Sequence, residues 1–236
     1  MKKKLSFLLA VCISLVVTQE LYSQEKPIRV GVLGGMNLSS LNMYVLYDYM
    51  GYGIKTERAM RPGLRVGGAF EFWPSEIFAL HINALYQTKG VNYKPQSTAY
   101  SGLTLPFKEM NWDFAYLSFP ILGKVAFGDK VKFYLDFGPE LSFLISAKVT
   151  STETVSGQDT EVETDIKDNI SSFDLSGNFG FGVEFPISNL RAFVGTRGYI
   201  SLTDVFQNRV FPGIAEAQPG KNATLFGGSI SIGILY

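Results

Sequence analysis

The sequence predicts an all-β protein, folded as a single antiparallel barrel of about eight strands. Three observations carry this prediction: apolar and polar residues alternate along most of the chain, aromatic residues and glycine are abundant, and charged residues are scarce. The 236 residues include 19 Phe, 12 Tyr and 24 Gly, and 18% are charged, against about 25% in ordinary soluble domains. Because aromatic residues favour strands and glycine disfavours helices, this composition fits a barrel better than a helical protein.

The alternation is regular enough to assign strand faces. Within residues 77–87, Phe78 and Ile82 lie on one predicted face and His81 lies on the other. Within 131–148 the apolar face is mainly Phe and Leu, and the opposite face carries Lys, Asp, Glu and Ser, with one Leu as the exception. Since successive side chains of a strand point to opposite sides, each strand separates an apolar face from a polar one.

The same pattern divides the chain into eight predicted strands, most of them longer than the usual five or six residues. Their lengths suffice to cross a membrane at a tilt. The predicted strands are residues 28–38, 62–73, 76–88, 112–127, 131–148, 172–186, 190–203 and 223–236.

The predicted connections alternate between short and long. Three short turns fall at 74–76, 128–130 and 186–189. Four long loops fall at about 39–61, 89–111, 149–171 and 204–222. This is the pattern of a transmembrane barrel of the outer membrane, with short periplasmic turns and long extracellular loops.

The third long loop keeps a strand-like pattern of its own. Residues 149–155 and 160–166 alternate Thr and Val with polar or charged residues, and residues 156–159 can form a tight turn. The carboxylates would keep this segment exposed to solvent. We therefore expect a solvated hairpin that projects beyond the membrane.

A soluble lipocalin-like barrel or sandwich has the same period, with the apolar faces pointing inward instead. Two features favour the membrane: the apolar faces are very rich in Phe, Leu and Ile, and aromatic residues gather where strands meet turns, as they do at bilayer interfaces. The predicted interfacial aromatic residues are Phe72, Trp73, Phe127, Phe185 and Tyr236.

The N-terminus predicts a cleaved secretory signal peptide. Three lysines at 2–4 precede an apolar segment at 5–17, which is too short to span a bilayer as a helix. We place cleavage after Ser23, so that residues 1–23 form the signal peptide and residues 24–236 form the barrel domain.

Cys12, the one cysteine, lies inside the apolar part of the signal segment. A lipoprotein interpretation would make it the lipidated residue, although the apolar run continues beyond it. Removal of the signal leaves no thiol for disulfides, catalysis or metal binding. After the signal there is no apolar run long enough for a transmembrane helix, so a membrane-spanning chain must cross as strands.

Four segments carry a resemblance to a known family: RVGVLGGMNLSSL at 29–41, YLSFPILGKVAF at 116–127, FYLDFGPELSFLIS at 133–146 and GNFGFGVEF at 177–185. They resemble the PorT-like outer-membrane barrels of Bacteroidota, also described as porin family proteins. The resemblance covers most of the mature chain and implies the barrel fold. The member that gives the family its name is implicated in type IX protein secretion, and the resemblance does not carry that role to this chain.

His81 is the only histidine, and the alternation places it mid-strand on the lumenal face. One interpretation makes it the general base of a barrel enzyme, working with acidic lumenal residues. The other makes it a hydrogen-bonded member of an interior polar network. Its mid-strand position favours the second, so the sequence predicts no catalytic residue.

Charged residues of both signs fall on the predicted lumenal face. A charge-selective pore would need one dominant sign, whereas a packed interior requires compensating pairs. Since eight strands leave room only for side chains, we expect interior ion pairs. The residues concerned are Arg29, Arg65, Glu71, Lys124, Lys132, Asp136, Glu140, Asp174, Glu184, Arg191 and Arg197.

Ligand motifs are weak. The acidic residues of the third long loop lack the spacing and central glycine of a calcium loop. The glycines at 177–182 lie inside a strand and do not open a helix, so they predict no dinucleotide site. A formal charge of zero argues against nucleic acid as a partner. The sequence therefore predicts no cofactor and no metal.

These observations predict a non-enzymatic outer-membrane barrel that serves as a structural or interaction platform. Its expected contacts are the lipid of the outer membrane and, through the long loops, other envelope proteins. The alternative is a narrow passive pore for small solutes, and the least favoured function is an enzyme centred on His81.

Overall fold

A computed structural model of the chain describes residues 27–43, 45–49, 52–95, 107–155, 158–207, 214–216 and 222–236. The predicted signal peptide and parts of all four predicted long loops lie outside the described residues. The described part contains eleven strands and one turn of 3₁₀ helix at Lys167–Asn169.

The eleven strands of the described residues are numbered in chain order. They are β1 (Ile28–Leu41), β2 (Val45–Tyr49), β3 (Tyr52–Phe72), β4 (Phe78–Pro95), β5 (Phe107–Phe127), β6 (Lys132–Val155), β7 (Gln158–Asp165), β8 (Phe173–Ile187), β9 (Leu190–Ser201), β10 (Ile214–Glu216) and β11 (Leu225–Leu235).

Eight of these strands close into a ring. β1 pairs antiparallel with both β3 and β11, and the ring continues through β4, β5, β6, β8 and β9. At the closure Gly31 lies opposite Leu235, and the backbone groups of Val30 and Tyr236 exchange hydrogen bonds of 2.8 and 3.2 Å. The predicted antiparallel barrel of about eight strands is confirmed.

The short turns are confirmed at the three predicted places, between β3 and β4, β5 and β6, and β8 and β9. Gly128 in the second of them has φ of +111°, which a residue without Cβ adopts without strain. The two chain ends of the ring lie at this same end of the barrel. We refer to it as the short-turn end, and to the other as the distal end.

The predicted loops at the distal end are partly wrong, because strands occupy much of them. β3 to β6 are 18 to 24 residues long, and β2, β7 and β10 add further pairs. We define the distal extension as residues 45–49, 52–61, 88–95, 107–115, 146–155, 158–165 and 214–216. Most of these residues were interpreted as loops because they carry Thr, Asn and charged residues where the predicted strands carry Phe and Leu; residues 88, 112–115 and 146–148 were predicted as strand ends.

The outer wall of the ring is apolar, as the alternation predicted. On β6 the side chains of Leu135 and Phe137 are 42% and 58% exposed, whereas Asp136 between them is 1% exposed. Large aliphatic and aromatic side chains are exposed in the same way on β1, β3, β8, β9 and β11. They form a continuous apolar belt around the barrel.

A β-bulge shifts the alternation of β6 immediately after Leu144, the one apolar exception on its lumenal face. The β5–β6 register slips between Ala115 and Tyr116, whose partners are Ser146 and Leu144, so Ile145 has no opposite residue. The inserted residue shifts the lumenal positions of β6 from even to odd numbers, and Ala147 rather than Ser146 is buried. The assignment of Ser146 to the polar lumenal face was therefore wrong.

Candidate functional site

The short-turn half of the lumen is filled by an ion-pair network. The ammonium group of Lys124 donates to the carboxylates of Glu71 and Glu184. The guanidinium of Arg29 lies 3.8 and 3.6 Å from the same two carboxylates, and Arg191 lies 3.4 Å from Glu184. Buried charges require such compensation, so the predicted interior pairing is confirmed here.

Trp73 closes this end of the lumen from the inside. Its Nε1 donates to Glu71 Oε2 at 2.9 Å, and its ring lies 4.7 Å from the guanidinium of Arg29 and 5.2 Å from Lys132 Nζ. The side chain is only 4% exposed, so its predicted place among the interfacial aromatic residues was wrong. A lumenal carboxylate gives the indole N–H an acceptor that hydrocarbon would not. The other strand-end aromatic residues that lie exposed as predicted are Phe72, Phe127 and Tyr236.

A second network fills the middle of the lumen. Lys89 Nζ lies 2.8 Å from Glu140 Oε1, which also accepts from Gln87 at 2.7 Å. Arg197 Nη2 donates to Asp136 Oδ2 at 2.6 Å. The sequence had predicted Glu140, Asp136 and Arg197 as lumenal but had missed Lys89, because the predicted strand ended one residue before it. The sequence did contain a signal for it: Lys89 continues the odd-numbered positions of β4 that face the lumen.

Two predicted lumenal charges are held by hydroxyl groups rather than by an opposite charge. Asp174 accepts from Ser176 at 2.7 Å and from Thr203 at 2.9 Å, and Ser201 donates to it as well. Arg65 donates to the hydroxyl of Ser229. Their lumenal position is as predicted, and hydroxyl contacts take the place of expected ion pairs.

His81 lies in the lumen, as predicted, and is 2% exposed. Its Nδ1 lies 3.7 Å from Asp136 Oδ2 and 3.9 Å from Glu71 Oε1, and its ring meets Phe193 edge-on at 6.4 Å between centroids. A general base must be reached by the group whose proton it removes. His81 is instead enclosed between the two ion networks.

A layer of apolar side chains seals the distal end of the lumen. Its centre is Trp112, which is fully buried and meets Tyr93, Phe114 and Phe206 edge-on at 6.1, 6.4 and 5.8 Å between centroids. We call this layer the distal core. Its members are Leu41, Met43, Val91, Tyr93, Met110, Trp112, Phe114, Tyr116, Ala147, Val149, Ile166, Ile170, Val205, Phe206, Ala223 and Leu225.

Polarity reverses where the barrel continues into the distal extension. Along β4 the lumenal series changes from the polar Lys89 to the apolar Val91 and Tyr93, while the outward side chains change from Tyr86 to Lys94. β5 and β6 change in the same sense. Below this level the wall is apolar outside and polar inside, and above it the wall is polar outside and apolar inside.

β7 forms the outermost strand of the distal extension and confirms the predicted hairpin. It pairs with β6 from Lys148 opposite Asp165 to Val155 opposite Gln158, and all eight of its residues are exposed. Glu163 accepts a hydrogen bond of 2.6 Å from Lys148. This bond, and then the carboxylate charge, raise the pKa of the Lys148 ammonium group above its ordinary value.

Glycine on β8 gives room to a large lumenal neighbour. A Cβ on Gly182 would overlap the hydroxyl of Tyr134, which projects into the lumen from β6. Glycine at this position is therefore a packing requirement.

Ligand chemistry is limited in the part of the chain that is described. No group of three or more His, Cys, Asp or Glu side chains is arranged there to hold a metal ion. No helix among the described residues is long and apolar enough to cross a membrane.

A closed ring of strands, apolar outside and filled with paired polar groups inside, is the architecture of an integral membrane barrel. The sequence profile of the family described as outer membrane protein beta-barrel domain matches residues 19–207. The chain belongs to this family of outer-membrane barrels, which places it in the outer membrane. The apolar belt is then the surface in contact with lipid.

Several solved barrels are similar to the chain. They include OprG from Pseudomonas aeruginosa (12% identity, TM-score 0.43, covering 90% of this chain and 96% of that one). Neisserial surface protein A is 13% identical with a TM-score of 0.39, covering 89% and 96%. The outer membrane protease OmpT from Escherichia coli is 8% identical with a TM-score of 0.33, covering 93% and 99%. Likenesses this distant carry no argument about this chain, and no curated protein sequence matches it.

Proposed function

We propose that this protein is a non-enzymatic barrel that serves as an interaction platform of the outer membrane and contacts its partners through the distal extension. The supporting observation is that the two parts of the barrel have different surfaces. At the level of the belt the exterior is apolar and the lumen is filled with packed side chains. The strands of the distal extension continue above it with a polar, charged exterior. Function on a rigid scaffold is usually carried by the segments that project from it.

Site-specific photocrosslinking in intact cells tests this proposal. A photoreactive residue at Thr152 in the distal extension should form protein adducts, while one at Phe137 in the belt should form adducts with lipid. Both positions lie on the outward side of β6, so they form a matched pair. Protein adducts from position 137 but none from position 152 would reject the platform.

A passive pore is the rival function. In the described part of the chain the lumenal ion pairs and the distal core both occupy the inside of the ring. This argues against a pore, because eight strands leave little space beyond their own side chains. Planar bilayers containing the purified protein should therefore show no discrete conductance steps. Regular unitary steps from the wild-type protein would instead support the pore.

Catalysis at His81 is the third possibility and has less support. Substituting His81→Gln should leave the barrel folded and change no reaction, since the imidazole is 2% exposed and lies between Glu71 and Asp136. A lipid- or peptide-cleaving activity that is lost in this variant, with heat-modifiable migration retained, would support a barrel enzyme.

We further infer that the chain is exported with a signal peptide cleaved after Ser23 and belongs to the PorT-like subset found in Bacteroidota. The support is the sequence pattern of residues 1–23 and the four family-like segments. N-terminal sequencing of the protein purified from outer membranes tests the cleavage site, with Gln24 expected as the first residue.

A further inference from the structure

The edge of β7 is a candidate surface for pairing with another strand. On one side β7 pairs with β6 along its whole length, and in the described part of the chain no strand pairs with its other side. Lower on β6 this place is taken by β8, from Phe173 opposite Phe143 downward. Half of the residues of such an edge direct their backbone N–H and C=O groups outward, where another strand can bind them.

Within the described residues the β7 edge has only one of the usual protections, its carboxylates. Natural edge strands are blunted by charged side chains (Lys above all), Pro, bulges or covering segments. The segment Gln158–Asp165 contains no Lys, Pro or Gly, its register with β6 is uninterrupted, and every residue is exposed. Its Thr and Val residues are good strand formers, so the edge is extended and ready to pair.

The charges of β7 restrict what can pair with it. The four carboxylates at alternate positions share one face of the strand because the side-chain period is two; they are Asp159, Glu161, Glu163 and Asp165. Lys108 Nζ lies 2.7 Å from Asp159, and Lys148 Nζ lies 2.6 Å from Glu163. Among these contacts of the described residues, four negative charges face two positive ones, an excess of two negative charges.

From the open edge and this charge excess together, we propose that β7 binds an extended peptide segment with Lys or Arg at every second position, which adds to the sheet as a further strand. The backbone bonds supply affinity, and the alternating cations opposite the carboxylates supply selectivity. This inference rests on the proposed platform function and names the class of partner that the platform takes.

Short peptides test the inference on the full-length protein in lipid nanodiscs. The probe is an eight-residue fluorescent peptide, matching β7 in length, in which Lys alternates with Thr and Val. Its anisotropy should rise on binding, and the same peptide with Glu in place of Lys should bind at least about tenfold more weakly. Equal binding of the two peptides would overturn the charge argument.

Backbone methylation separates strand addition from simple charge attraction. A peptide strand pairs through the N–H groups of alternate residues, so N-methylation of one alternate set should abolish binding while methylation of the other set should be tolerated. Binding of both methylated peptides would overturn the strand model. Hydrogen exchange should slow in residues 158–165 when the unmodified peptide binds, and protection confined to other segments would also overturn it.

Two protein variants complete the test. Glu161→Lys should weaken binding of the Lys peptide and strengthen binding of the Glu peptide. Asp129→Lys changes the charge by the same amount at the short-turn end and should leave the binding of both peptides unchanged. A peptide with the sequence of residues 158–165 should bind weakly; if it bound best, the edge would pair with a second copy of the chain instead. Adducts at position 152 in cells without any peptide binding would reject this inference and leave the platform standing.

Discussion

Lys89 and Glu140 face each other across the lumen with Nζ and Oε1 2.8 Å apart, and neither side chain is more than 2% exposed. The pair stands between the short-turn network and the distal core. Gln87 and Ser142 also donate to Glu140, at 2.7 and 3.1 Å, so the carboxylate is held from several directions. Such a pair contributes to stability mainly because burying either charge without the other would cost free energy.

Removing the charge of one member of the pair should therefore lower the free energy of unfolding more than removing the charges of both. Lys89→Met should lower the free energy of unfolding by about 3–5 kcal/mol, because it leaves the buried carboxylate of Glu140 without its cation. The double variant Lys89→Met, Glu140→Gln should recover a large part of that loss. Urea unfolding in lipid vesicles measures the wild-type protein, the single variants Lys89→Met and Glu140→Gln, and the double variant. A double variant as unstable as the sum of the two single variants would contradict the pairing.

A charged side chain introduced on the belt should lower the free energy of unfolding far more than one introduced on the distal extension. Replacing Leu135 or Phe137 by Arg should cost about 2–4 kcal/mol if the site lies near the bilayer midplane. Thr150→Arg, also outward on β6 but above the reversal of polarity, should cost little. The same unfolding assay measures each variant, and comparable losses at positions 135 and 150 would place the membrane boundary elsewhere.

The closed ring should make the purified protein heat-modifiable. Its strands leave no open edge within the belt from which detergent could begin to unfold them. Unheated and boiled samples should therefore migrate differently on a denaturing gel. Identical migration, together with recovery in the soluble fraction, would count against the membrane barrel.

The hairpin formed by β6 and β7 should be cut from outside the cell. A protease added to whole cells should cleave near residues 156–160, while the turn at 128–130 should be cut only after the outer membrane is permeabilised. The two sites are controls for each other, since they lie at opposite ends of β6. The reverse order of cleavage would invert the topology and remove the basis for an extracellular partner.

The ring itself could be predicted from the sequence because within the belt each strand obeys one rule, apolar outward and polar inward. Asp136 between Leu135 and Phe137 is an example, and its burial followed from the period alone. The three short turns were equally predictable, since Pro, Gly and Asp mark them.

The distal extension could be predicted only in part, because the rule is reversed there. Trp112 and Phe114 were assigned to a strand whose apolar residues were expected to face lipid, yet they form the lumenal distal core. The bulge at Ile145 leaves no mark in composition, and it displaced Ser146 from its predicted face. Trp73 was misplaced because only the three-dimensional position of Glu71 reveals an acceptor for its indole N–H.

The reversal of polarity also determines how deep the barrel sits. A shift of two residues along the strands, about 6–7 Å, would carry Lys94 and Lys148 into hydrocarbon or lift outward Phe and Leu side chains into water, and both displacements are unfavourable. β6 has 24 residues, of which about ten suffice to cross the bilayer at a tilt. The remaining residues extend beyond the lipid surface as part of the same paired strand. The height at which β7 is displayed is therefore constant, and a tethered partner must have a reach that matches it.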